Sequence, residues 1–220
     1  VQERVQARLE QPVAQLPVSL SCLHVRSAET NWGDFCTDAF RELTGADVAV
    51  MNGGGIRADL PAGTVRYGDV LKAFPFDNTL TVIEVSGQQI LDALEWASRT
   101  LPRGNGGFLQ VSGLCYELDV SVADGCVSDQ YGMCIGIEGE RRVRNVLVAD
   151  VPIDPLRMYT LAGPNYTLLL HGDGMTAFTG SRLLKDEGKL ADCLVRVLGA
   201  GVGTGYENPS GQGRIRIVGI

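Results

Sequence analysis

The chain has 220 residues, of which 45% are hydrophobic and 20% are charged, and its formal net charge is -7. This size allows one sizeable core or at most two small ones. No apolar run reaches the ~18–20 residues of a membrane-spanning helix, no basic segment followed by an apolar one opens the chain, and the acidic balance argues against binding of nucleic acid through its phosphates.

The start of the chain carries a narrow apolar stripe in which the side chains recur every fourth residue: Val1, Val5, Leu9 and Val13. This spacing predicts a short amphipathic helix that Pro12 and Pro17 end. So short a helix is marginally stable alone and has to pack on something.

A second helix is predicted from an N-cap at Asn31 to a stop at Gly45, and Asp47–Met51 then resembles a buried strand. Further helices are expected at 87–99 and 191–198, and strands at 79–85, 114–120, 143–148, 158–162 and 215–217. Helices and strands alternate without regular βαβ spacing. The pattern therefore predicts an α+β fold in one compact domain.

Histidine and cysteine are too scattered for a metal site. The chain has two histidines, His24 and His171, and six cysteines that form no CxxC pair. A zinc site or a two-metal hydrolytic site needs several such ligands close together, so we expect neither a metal ligand nor a catalytic residue here. Cys126 and Cys134 flank a short loop and either form a local disulfide or stay reduced.

Three segments have the chemistry of a ligand site. Residues 52–57 (Asn-Gly-Gly-Gly-Ile-Arg) allow close backbone approach to a ligand and supply Arg57 for an anion, although a tight turn with a surface salt bridge is the alternative. Phe76 and Asn78 follow in a Phe-Pro-Phe loop that either offers a stacking face to a planar base or buries its rings in the core. Asp173, between two glycines, either binds a sugar diol or closes an Asx-type turn.

Six ordered motifs carry a resemblance: residues 29–34 (Glu-Thr-Asn-Trp-Gly-Asp), 51–57, 67–70, 74–80, 108–113 and 171–174 (His-Gly-Asp-Gly). Over about residues 22–218 the chain resembles the C-terminal, substrate-binding domain of the 5'-nucleotidase family. In that family an N-terminal metallophosphoesterase domain holds two divalent metals and hydrolyses the nucleotide. The resemblance implies that residues 21–220 bind a nucleoside or nucleoside monophosphate and that residues 1–20 are the helix joining the two domains.

The family's binding positions fall on six residues of this sequence. Arg26 and Arg57 are implied to contact the anion, and Asn52 the phosphate or ribose side. Phe76 is implied to stack under the base, Asn78 to hydrogen-bond to it, and Asp173 to take the ribose hydroxyls.

The chain departs from the family at three places. Thr167 stands where a second aromatic residue closes over the base, with Tyr166 beside it. Asp34 stands where the family commonly has Asn, which we expect to be a mild capping change, just as we interpret Glu29 and Asp38 as helix-capping or dipole groups. Residues 119–142 are longer than expected and predict an extended hairpin.

The chain is thus predicted to be the nucleoside-recognition part of a nucleotide hydrolase, inactive without the metallophosphoesterase domain. The alternative is a non-catalytic nucleotide-binding or interaction module that has lost the catalytic half. The resemblance and the cysteines favour a periplasmic, secreted or cell-surface parent, with no cofactor in this chain.

Overall fold

The computed structural model describes residues 2–219 and the side chains from Arg4 to Gly219. The helices are α1 (Gln2–Leu9), α2 (Asn31–Thr44), α3 (Tyr67–Ala73), α4 (Gly87–Ser98), α5 (Asn165–Leu168) and α6 (Leu190–Ala200). The strands are β1 (Pro12–Leu16), β2 (Val48–Asn52), β3 (Gly63–Arg66), β4 (Thr79–Ser86), β5 (Leu109–Ser112), β6 (Leu114–Asp119), β7 (Cys126–Ser128), β8 (Cys134–Ile137), β9 (Val143–Val148), β10 (Val151–Pro152), β11 (Met158–Pro164), β12 (Arg182–Lys189) and β13 (Ile215–Val218).

A five-stranded sheet in the order β12-β4-β11-β2-β5 separates two apolar clusters. Successive side chains of a strand point to opposite faces, so Val48 and Val50 of β2 join one cluster while Ala49 and Met51 join the other. Helices α2 and α6 pack on one face, and α4 packs on the other together with a four-stranded sheet in the order β10-β9-β6-β13. Parallel pairs (β2–β11, β6–β13) occur beside antiparallel ones, which confirms the α+β prediction.

Helix α2 begins and ends close to the predicted positions. Its N-cap is Thr30, whose side chain accepts from the Gly33 N–H, and not Asn31. The Asn31 side chain instead bonds to the backbone of Ser19 and Ser21, so it fastens the preceding loop. Gly45 ends the helix with φ 69°, a left-handed conformation that glycine adopts without strain.

The chain start differs from the predicted single helix. Helix α1 ends at Leu9, and Val13 lies in strand β1, which pairs with β3, because Pro12 prevents continuation of the helix. Val1 lies outside the described residues. Leu16 and Leu20 are buried in the core, so residues 16–20 pack with the rest of the domain, and an inter-domain role of residues 1–20 stays a prediction.

The segment between β6 and β9 contains the predicted hairpin, formed by β7 and β8. All six cysteines, including Cys126 and Cys134 in this hairpin, are free thiols. No helix among residues 2–219 is long and apolar enough to cross a membrane.

Candidate functional site

All six residues that the resemblance selected line one cavity of about 420 Å³, at the end of the five-stranded sheet where β2 stops. Its lining is Arg26, Asn52, Gly54, Gly55, Arg57, Phe76, Asn78, Gly106, Tyr166 and Asp173. A cavity of this size with a few polar groups and an aromatic wall has the dimensions of a small-molecule site. That these residues bind a ligand stays a prediction.

The glycine run builds the floor of the cavity. After β2 the chain forms a 3-10 turn, Gly53–Gly55, in which the Gly53 N–H donates to the Phe108 carbonyl and the Gly54 N–H to the Gly106 carbonyl. A Cβ on Gly53 would lie 2.2 Å from the Val25 carbonyl oxygen. The glycines therefore serve close packing of three backbone segments, and this packing brings Arg26 to the edge of the cavity.

The two arginines are exposed and available to an anion. Among the side chains 4–219 neither Arg26 nor Arg57 pairs with a carboxylate, and the Arg57 guanidinium reaches only the Gly54 carbonyl, at 3.5 Å. Guanidinium groups with free donors match phosphate or carboxylate geometry.

The Phe-Pro-Phe turn between α3 and β4 divides its two rings. Phe74 is buried and packs edge-on against Trp32, with ring centroids 5.4 Å apart, whereas Phe76 is 53% exposed and lines the cavity. Phe74 is therefore a core ring, Phe76 presents an exposed ring, and stacking of a base on Phe76 stays a prediction.

Tyr166 is the second aromatic side chain in the cavity lining, beside Phe76, and Thr167 is not part of that lining. Thr167 is 2% exposed, and its hydroxyl has no hydrogen-bond partner among the described side chains and backbone. These two residues lie in the helical turn α5, where neighbours diverge by about 100°, so Tyr166 faces the cavity while Thr167 faces the core. The Tyr166 ring packs directly over Gly172.

Asp173 follows in the turn Gly172–Gly174 with a left-handed backbone, φ 55°. Burial raises the pKa of its carboxyl group, while the nearby Arg99 charge and the polar side chains of Asn52 and Tyr166 act in the opposite direction. The carboxylate lies against Gly106 and Gly107, which leave it the space to face the cavity.

The acidic residues near α2 hold the C-terminal segment and do not cap the helix. Glu29 accepts from the backbone N–H groups of Gln212, Gly213 and Ile215. Asp38 binds the Arg214 guanidinium and the Tyr206 hydroxyl. The capping interpretation of both residues was wrong, because their partners lie far along the chain.

Asp34 is fully buried beside Glu29, so the expected mild capping change is also wrong. Its Oδ2 atom lies 3.0 Å from the Gln212 nitrogen, which also donates to Glu29 at 2.6 Å. Burial raises the pKa of Asp34 to about 8, against the lowering effect of Arg214.

Metal ligands do not converge in the described part of the chain. Within residues 2–219 no group of three or more His, Cys, Asp or Glu could hold a metal ion. His171 instead lies 3.0 Å from the Thr179 hydroxyl. The described residues do not fit a two-metal hydrolytic site.

Two lining residues, Gly106 and Tyr166, were not among the predicted site residues. Gly106 lies in a loop whose composition, Gly104-Asn105-Gly106-Gly107, is a turn signal that could have marked it. Tyr166 was considered only as a substitute for Thr167.

The chain is similar to known proteins in sequence and in structure. A sequence model described as 5'-nucleotidase, C-terminal domain, matches residues 7–180. The trifunctional nucleotide phosphoesterase protein YfkN of Bacillus subtilis (strain 168) is 42% identical over 102 residues, covering 44% of this chain and 7% of that protein. Protein UshA of Escherichia coli (strain K12) is 32% identical over 150 residues, covering 68% of this chain and 23% of UshA.

Among solved structures, the 5'-nucleotidase precursor from Thermus thermophilus superimposes with a TM-score of 0.80 at 30% identity. The match covers 98% of this chain and 41% of that one. The chain therefore spans less than half of the length of the relatives that it matches.

Proposed function

Since this chain belongs to the 5'-nucleotidase family through its C-terminal domain, we propose that it binds the nucleoside part of a nucleotide whose phosphate ester is hydrolysed by a separate domain. The observation that carries this proposal is the convergence of the predicted residues on one cavity. They come from distant segments of the sequence, and their chemistry matches the three parts of a nucleotide.

Each wall of the cavity suits one part of the ligand. Phe76 and Tyr166 offer aromatic faces to a base, and Asn78 beside them offers an amide to its edge. Asp173 offers a carboxylate to the ribose hydroxyls, and Asn52 lies next to it. Arg26 and Arg57, which are exposed members of the same lining, offer guanidinium donors to a phosphate group.

For the whole protein we propose an N-terminal metallophosphoesterase domain that holds two divalent metals. Residues 1–20 would connect that domain to residues 21–220. The relatives named as 5'-nucleotidase and as nucleotide phosphoesterase are several times longer than this chain, which supports such an arrangement. We also propose a periplasmic, secreted or cell-surface location. A coding sequence upstream of Val1 with Asp-x-His and Asn-His-Glu metal motifs would support the proposed metallophosphoesterase domain. The absence of such a sequence would favour a non-catalytic binding module.

Isothermal titration calorimetry with adenosine and AMP tests the binding proposal. Because base stacking contributes about 1–3 kcal/mol, Phe76→Ala should weaken adenosine binding by about fivefold to a hundredfold. Asp173→Asn should weaken it as well. Leu156→Ala and Asp150→Asn are matched controls, since Leu156 is 88% exposed and Asp150 is exposed with φ 62°, close to that of Asp173. Unchanged affinity in both site variants would refute the site.

A further inference from the structure

The backbone of Asp173 has an uncommon conformation that something must hold. Its φ is 55°, and His171 and Gly174 on either side also have positive φ, 54° and 77°. Residues other than glycine rarely adopt this region, and such residues persist only where their surroundings enforce it. The direction of the Asp173 carboxylate depends on this conformation.

Two side chains, one from helix α4 and one from the residue after it, bind the carbonyl group of Asp173. The indole Nε1 of Trp96 donates to this oxygen at 3.0 Å, and the Arg99 Nη2 donates to it at 3.3 Å. The Arg99 guanidinium also lies over the Trp96 ring, 3.9 Å from its centroid, and donates to the Trp96 carbonyl at 2.8 Å. The two donors are therefore fixed against each other as well as against Asp173.

The β7–β8 hairpin closes the other side of the same turn. A Cβ on Gly174 would lie 2.2 Å from the Gly132 carbonyl oxygen, and the Thr176 hydroxyl donates to the Cys134 carbonyl at 2.6 Å. The turn that carries Asp173 is thus packed between α4 and the hairpin, which leaves it little space for another conformation.

We propose that Trp96 and Arg99 are positioning residues that hold Asp173 in its left-handed conformation, so that its carboxylate faces the sugar hydroxyls and the site prefers ribose over sugars without them. This inference rests on the proposed nucleoside binding. Neither side chain lines the cavity, so both act through Asp173.

The charge of Arg99 also affects the protonation of Asp173. Burial raises the pKa of the Asp173 carboxyl group, and Arg99 lowers it, together with Asn52 and Tyr166, which face the same carboxylate. Arg99 in turn faces Asp124, Cys126 and Cys134 of the hairpin region. An ionised carboxylate accepts hydrogen bonds from both ribose hydroxyls, so removing the Arg99 charge should move the loss of adenosine affinity to a higher pH.

The experiment compares adenosine with 2',3'-dideoxyadenosine by calorimetry from the ordinary carboxyl pKa, about pH 4, up to pH 8, using Trp96→Phe, Arg99→Met and Arg99→Lys. Trp96→Phe keeps an aromatic side chain and removes the indole N–H donor. Arg99→Lys keeps the charge without the planar fork. Arg157→Met is the matched control, because the Arg157 guanidinium also lies over an aromatic ring, 5.0 Å from the centroid of Tyr159, outside the cavity.

We expect Trp96→Phe and Arg99→Met to reduce the preference for adenosine over the dideoxy analogue by about three- to tenfold, while binding of the analogue itself changes little. Arg99→Met should also shift the pH midpoint of adenosine binding upward, and Arg99→Lys should restore the midpoint. Equal losses for both ligands, or an unchanged midpoint in Arg99→Met, would overturn the inference.

Hydrogen exchange of the ligand-free protein separates this inference from the proposed function. The Gly174 and Met175 amides bond to the His171 and Gly172 carbonyls in the same turn, so their exchange should accelerate in Trp96→Phe. A wild-type protein that binds no nucleoside would overturn the proposed function. Unchanged exchange in Trp96→Phe would overturn the positioning of Asp173, whatever the wild type binds.

Discussion

Replacing Asp34 with Asn should stabilise the protein more as the pH rises. Asp34 is fully buried, and it shares the Gln212 N–H with the carboxylate of Glu29. Two carboxylates this close cannot both ionise at low cost, so Asp34 holds a proton at neutral pH, in keeping with its pKa of about 8. The amide that Asp34→Asn introduces would accept from Gln212 and donate to Glu29 without needing that proton.

The sign and size of the effect follow from proton linkage. The folded protein binds a proton at Asp34 that the unfolded chain has released above about pH 4, so the free energy of unfolding falls as the pH rises from about 4 to about 8. Each pKa unit corresponds to about 1.4 kcal/mol. With the pKa of Asp34 at about 8 in the folded protein, we expect the advantage of Asp34→Asn to grow by up to about 3–4 kcal/mol between pH 5 and pH 8.

Urea or thermal unfolding followed by circular dichroism at pH 5, 6, 7 and 8 measures this advantage. For a protein of this size, 1 kcal/mol corresponds to roughly 2–4 °C in Tm. Asp150→Asn, at an exposed turn, is the control and should show no trend with pH. The free energies of unfolding of Asp34→Asn and the wild type are compared at each pH. If their difference stays constant or shrinks toward pH 8, Asp34 does not hold a proton in the folded protein.

Four further predictions concern the site. Tyr166→Ala should weaken adenosine binding at least fivefold, measured by calorimetry. Thr167→Val should leave adenosine binding unchanged and raise the free energy of unfolding by about 1 kcal/mol in a denaturation experiment, because it removes a buried unpaired hydroxyl. Gly53→Ala should lower stability by about 1–3 kcal/mol, since its Cβ would meet the Val25 carbonyl, and a Tm unchanged from the wild type would contradict this. Arg57→Gln should weaken AMP binding by about tenfold and spare adenosine; equal losses for both ligands would remove the phosphate role. The purified chain, supplied with Mn²⁺ or Zn²⁺, should release no phosphate from AMP in a colorimetric assay. Phosphate release would contradict the proposal that a separate domain hydrolyses the phosphate ester.

The regular elements with a strong hydrophobic pattern were predictable from the sequence. Helices α2, α4 and α6 bury apolar side chains at helical spacing, strands β6 and β9 largely alternate buried and more exposed residues, and strands β4 and β11 are apolar runs that contribute to both clusters; the structure confirms all of them. Strand β12, residues 182–189, was missed because it is a charged and largely exposed strand at the edge of the sheet, with no apolar alternation to mark it. Helix α3 was missed because it has only seven residues, of which only Val70 and Ala73 are buried, too few for a helical pattern.

The candidate site was predictable only as a set. Residue chemistry alone left Arg57, Phe76 and Asp173 each with an ordinary structural alternative, and the ordered motifs of the family resemblance joined them. The direction of the Tyr166 side chain could not be predicted, because residues 165–168 form the short helix α5 and not the extended segment that the sequence suggested. The partners of Asp34 could not be predicted either, since Gln212 lies 178 positions away.

The anchoring of the C-terminal segment has a consequence for synthesis of the protein on the ribosome. Glu29 and Asp34 receive their backbone partners from residues 212–215, and β13 completes its sheet beside β6. These acidic groups lack their native partners until residues 212–215 have left the exit tunnel. The packing around the start of α2 therefore cannot be completed while the intervening part of the polypeptide is being synthesised.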